Sequence, residues 1–119
     1  MVLALAAFLA FSLYQLHLPG LHYDEAKEAG LPALQLLRGL PVDTFRGSGV
    51  RVGGLLLPLM VVDYIGATNV YLALPFLSIG GVNVAALRTL PIALALLSLF
   101  LLHALAREIY YVRTASLAF

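Results

Sequence analysis

The 119 residues are 62% hydrophobic and 11% charged, whereas an average soluble domain carries about 25% charge, so composition alone assigns the chain to membranes. A formal net charge of +1, with Lys27 as the only lysine, excludes a nucleic-acid partner, because a phosphate-tracking surface needs clustered Lys and Arg. The absence of cysteine excludes disulfides, thiolate metal sites and a cysteine nucleophile, and leaves the redox compartment unmarked.

Residues 1–18 carry no charge, and as a helix they would cover about 27 Å, close to the roughly 30 Å hydrocarbon core. They predict a first span, stopped by Pro19-Gly20. The small residues at 4–7 would also suit a cleaved signal peptide, but the missing basic n-region and the length of the apolar run favour a retained helix. A few residues beyond stands the acidic pair Asp24-Glu25, and carboxylates are costly near hydrocarbon, so a pair here points to chemistry at the bilayer surface.

Residues 24–39 read as a short amphipathic surface helix, kinked or restarted near Gly30-Leu31-Pro32. Glu25 and Glu28 suit its positive end, Arg38 its negative end and Gly39 its stop, while Ala29, Ala33, Leu36, Leu37 and Leu40 share one face. Residues 40–54 are rich in Pro and Gly and predict irregular structure. Residues 52–81 are apolar but interrupted by Pro58, Asp63, Gly66, Asn69 and Pro75, which predicts short interfacial helices, with a third crossing centred on 72–79 as the alternative.

Residues 89–106 form the second uncharged run, with Pro91 expected in its first turn, and Arg107-Glu108 and Arg113 follow it. Basic residues just past a span favour the cytoplasmic side and would place Asp24-Glu25 outside. The cations of the intervening segment, Lys27, Arg38, Arg46, Arg51 and Arg88, fit that rule less well, but a segment of this length lies at the limit of its reach. The expected architecture is an all-α membrane protein: a first span over 1–18, an external loop over 19–88 with amphipathic interfacial helices, a second span over 89–109 and a cytoplasmic turn over 110–119. The abrupt apolar end at 115–119 predicts that the chain is the N-terminal part of a larger multi-span bundle.

Taken in order, these pieces resemble the start of the membrane glycosyltransferases that use polyprenyl-phosphate sugars. These are the protein O-mannosyltransferases, the aminoarabinose transferases and their bacterial relatives of the GT-C fold class. The resemblance runs from the first span through Asp24-Glu25, Asp63-Tyr64-Ile65-Gly66-Ala67, Tyr71-Leu72-Ala73-Leu74-Pro75-Phe76 and Ile79-Gly80-Gly81. It ends in Ala86-Leu87-Arg88-Thr89-Leu90-Pro91, which enters an apolar helix closed by Arg107-Glu108. No single motif decides it; the order and spacing carry it.

The resemblance implies inverting transfer of a sugar from a polyprenyl-phosphate donor to a lipid, glycan or protein hydroxyl, at the outer face of a bacterial or archaeal plasma membrane. It places the catalytic carboxylate on Asp24, as general base toward the acceptor hydroxyl, since the leaving phosphate is already charged and gains more from a cation than from an acid. Glu25 would orient Asp24, bind acceptor or cap the following helix. Arg88 would hold lipid phosphate, pair with a loop carboxylate or snorkel at the interface. Asp63-Tyr64 falls where many relatives carry His-Pro-Pro or Lys-Pro-Pro, a departure that passes any phosphate contact to Arg88, Arg46 or Arg51. Asp63 then binds acceptor or sugar hydroxyls, or is a solvated break between helices, and Tyr64 stands with it as a substrate-binding candidate.

No cofactor is specified. Some members of the wider fold class use a divalent cation, but Asp24, Glu25 and Asp63 do not establish one, and His17, His22 and His103 lack ligand spacing. Tyr110-Tyr111 read as interfacial anchors, and Gly53-Gly54 and Gly80-Gly81 lack the context of a nucleotide loop. The reading from another class is a small non-enzymatic membrane protein whose surface helices bind a partner, and an enzyme using lipid phosphate differently, such as a polymerase or ligase, is a third.

Overall fold

Leu, Ala and Phe dominate the first segment, which forms helix α1 over Val2–Leu13 in a computed structural model that describes residues 2–18 and 20–109. Its 12 residues cover about 18 Å, short of a roughly 30 Å hydrocarbon core. The expected first span over 1–18 is therefore cut back. Gln15 turns into the left-handed region (φ 49°), so the helix stops before Pro19-Gly20 is reached.

The next segment, expected as an external loop with surface helices, holds a compact unit over His17–Leu90 with its own core. It opens on a helical stretch of three parts, α2 (Tyr23–Glu25), a π-helical turn (Ala26–Gly30) and α3 (Leu31–Leu37). The π turn has a covalent rationale: Pro32 has no N–H to offer the Glu28 carbonyl, and the Leu31 N–H reaches back to the Ala26 carbonyl, five residues away. At the other end, Gly39 (φ 63°) closes α3. Its N–H meets the Leu36 carbonyl at 3.1 Å while Leu40 N–H meets that of Gln35 at 2.8 Å, the paired bonds of a Schellman motif.

Two small antiparallel hairpins follow, and they correct the all-α expectation, although the chain remains mostly helical. Strands β1 (Gly49–Val52) and β2 (Leu55–Pro58) are joined by Gly53-Gly54, both at positive φ, the geometry of a tight two-residue turn that β-carbons disfavour. Strands β3 (Met60–Val62) and β4 (Ile65–Gly66) are joined through Asp63-Tyr64. Of the interruptions that suggested broken interfacial helices, Asp63 lies in the β3–β4 turn, Pro58 and Gly66 end strands, and Asn69 and Pro75 lie within the helix that follows.

Helix α4 (Thr68–Gly80) covers about 20 Å, too short for the third crossing considered over 72–79. Tyr71 Oη donates to the Pro58 carbonyl at 2.6 Å and ties α4 to β2. The core of the unit gathers Ala29, Ala33, Val61, Val70, Ala73 and Leu87 with their buried neighbours; Ala33, Val70 and Ala73 have no exposed surface. Small side chains let helices approach closely: a β-carbon on Gly30 would sit 3.3 Å from Leu87 Cδ2.

Helix α5 (Val84–Ile109) begins earlier than the expected second span at residue 89, because Asn83 caps it. Asn83 Oδ1 accepts the Ala86 N–H at 2.8 Å while Nδ2 donates to the Gly80 carbonyl at 2.8 Å, closing α4 and opening α5 with one side chain. Pro91 consequently lies inside the helix rather than in its first turn, and leaves the Leu87 carbonyl without its usual intrahelical donor. At 26 residues, about 39 Å, α5 is long and apolar enough to cross a membrane. The described residues 2–16 and 91–109 belong to the second unit. The expected cytoplasmic turn over 110–119, with Tyr110, Tyr111 and Arg113, lies outside the described residues.

Candidate functional site

His22-Tyr23-Asp24-Glu25 has the spacing of a reciprocal helix cap, with His22 in the place usually taken by Ser, Thr, Asp or Asn. The Asp24 N–H donates to His22 Nδ1 at 3.4 Å, and Glu25 Oε2 accepts the His22 N–H at 3.0 Å. The Asp24 carboxylate stands in solvent, 64% exposed, with Oδ2 3.6 Å from His22 Nδ1.

Glu25 turns the other way. Arg88, on the first turns of α5, grips it with Nε to Oε1 at 3.0 Å and Nη2 to Oε2 at 2.9 Å. Nη1 donates to the Leu18 carbonyl at 3.0 Å and Nη2 also to that of Gly20 at 2.6 Å. Glu25 and Arg88 side chains are 35% and 16% exposed, so this fork is partly withdrawn from water, where charged hydrogen bonds strengthen. The Arg88 hydrogen bonds hold the Glu25 carboxyl below its ordinary range; burial opposes them and the His22 N–H adds to them.

The structure thus brings Asp24, Glu25 and Arg88 into one neighbourhood, and of the roles expected for Arg88 it makes the pairing with a loop carboxylate. Glu25 does cap its helix. The contributions of His22 and of the Leu18 and Gly20 carbonyls were missed; the His-x-x-Glu spacing was the available signal.

Asp63 belongs elsewhere in the same unit. It lines a solvent-open hollow of about 470 Å³ together with Lys27, Asp43, Phe45 and Arg46. Tyr64, beside it in the hairpin turn, is exposed and not part of that wall. Arg46 holds a left-handed backbone (φ 50°, ψ 32°), which costs a non-glycine residue about 1–3 kcal/mol, and its guanidinium lies 4.9 Å from the Phe45 ring centre. Lys27 lies 5.5 Å from the centre of the Tyr23 ring, and its ammonium is held above its ordinary range by Tyr23 first, with Asp43 and Asp63 adding. Arg51 sits on β1, and His17 and His103 contribute to neither place.

Among the described residues no three His, Asp or Glu side chains gather as metal ligands. Comparison with protein-family models, with curated proteins and with solved structures found no match to this chain.

Proposed function

We propose that the chain is part of a membrane glycosyltransferase that moves a sugar from a polyprenyl-phosphate donor to a hydroxyl acceptor, with Asp24 as general base. The observation that carries this reading is the division of labour in the acidic pair: Glu25 is locked to Arg88, while Asp24 is anchored through its backbone and keeps its carboxylate open to solvent beside His22. A base must be both fixed and accessible, and this pair supplies the two properties on adjacent residues.

In the proposed step the acceptor hydroxyl oxygen attacks the anomeric carbon and Asp24 takes its proton. The anomeric C–O bond to phosphate breaks on the opposite face, its electron pair leaves with the polyprenyl phosphate, and the configuration inverts. Arg88 acts as a positioning residue, holding Glu25 and the Leu18 and Gly20 carbonyls beside the start of α5. Arg107 at the end of α5 supports an orientation with Asp24 on the outer face. Enclosing a polyprenyl chain takes several helices, so the reading includes further spans beside α5.

Asp24→Asn, in the protein expressed from its complete reading frame, is expected to lower transfer of radiolabelled sugar from a polyprenyl-phosphate donor by about 100-fold or more with expression unchanged. Near-normal turnover would remove Asp24 from the base role, and a wild type without transfer would favour the partner-binding alternative.

A further inference from the structure

We propose that the hollow walled by the π-helical turn, the 43–46 segment and the β3–β4 turn is a binding site for neutral carbohydrate, recognised through its hydroxyl groups. Its wall carries two cations, Lys27 and Arg46, and two carboxylates, Asp43 and Asp63. Among the described residues these four close no ion pair with one another, so they line the opening as strong donors and acceptors without satisfying each other.

Their formal charges cancel, which disfavours a simple anion or cation. Opposite charges also share the wall rather than standing at two poles, since Lys27 and Asp43 together line both this hollow and an adjoining one. A zwitterion would need separated poles. A hydroxyl group instead donates to a carboxylate and accepts from a cation at once, and a sugar offers several at close spacing.

The apolar face of a sugar ring also has a place to lie. Phe45 lines this hollow, and Tyr23 and Gln35 line an adjoining one of about 310 Å³ that shares Lys27, Asp43 and Val61 with it. Both volumes fall within the range of small-molecule sites, about 300–1,000 Å³. The left-handed Arg46 and the π turn bearing Lys27 are backbone irregularities of the kind that concentrate at binding sites. That the bound sugar is the acceptor of transfer rests on the function proposed above; the binding itself does not.

The test is a titration of the full chain, held in a sugar-free polyoxyethylene detergent, with maltotriose, inorganic phosphate and phosphocholine in turn, read by backbone amide shifts. Maltotriose should shift Lys27, Asp43 and Asp63, and Asp43→Asn and Asp63→Asn should each weaken it about tenfold or more while distant amides keep their positions. Arg38→Gln, outside the hollow, should leave the titration unchanged. Binding of phosphate or phosphocholine in place of maltotriose, no binding of any probe, or maltotriose binding indifferent to both variants would each overturn the proposal. Transfer by Asp24→Asn reports on the general base alone and this titration on the hollow alone, so either can fail without the other.

Discussion

Arg88 is the residue on which the His17–Leu90 unit most depends electrostatically, because one guanidinium serves Glu25 and two backbone carbonyls that would otherwise lack it as a donor. Arg88→Ala should lower the thermal midpoint, and Arg88→Lys should recover only part of the loss because an ammonium cannot reproduce the planar fork. The pair also sets an acid limit. Glu25 is held below its ordinary value of 4.5 in the folded protein, so its contribution is fully present above that pH and is lost as pH falls through the lowered folded value. Glu25→Gln should flatten that part of the pH–stability profile, with wild type and variant melting converging in acid. Asp24 and Glu25 were singled out from sequence as rare charges in an apolar chain, and Arg88 by its place at the entry to the second apolar run in the family resemblance. Lys27, Asp43 and Arg46 were not read as one site, because they meet only when a turn and a hairpin fold against a helix.

At the scale of elements, Asn83 joins α4 to α5. Asn83→Ala should destabilise the protein by about 1 kcal/mol through loss of the α5 cap. Asn83→Asp should retain the bond to the Ala86 N–H and lose the one to the Gly80 carbonyl, so a smaller shift in midpoint would separate the two functions. Helix ends were legible where local chemistry decides them, as at Gly39 and at the Gly30-Leu31-Pro32 restart. The hairpins were not, because the Gly, Pro and Asp residues that break a helix are the same residues that turn a strand, and the difference lies in cross-strand pairing absent from local sequence.

For the molecule as a whole, α5 is the helix suited to crossing a bilayer, and Leu97 lies near its middle. Leu97→Arg should oppose insertion by about 2.5–3.5 kcal/mol and lower the fraction retained in membranes after alkaline extraction, whereas Leu97→Ile should remain there. The segment between the apolar runs is a packed unit. Its core is built largely on alanine and valine, whose small size permits close helix approach while giving little amphipathic signal.

Sequence by itself determined the long apolar helix near the C-terminal end and marked Asp24, Glu25 and Arg88 as candidates, since hydropathy and rare charges are properties of single residues and short windows. Tertiary structure alone decided that Glu25 is held by Arg88 while Asp24 stays open, that α1 stops at Leu13, and that Lys27, Asp43, Arg46 and Asp63 line one hollow. Each depends on where the backbone turns and which distant groups it then brings within hydrogen-bonding reach, and that geometry exists only once the chain has packed.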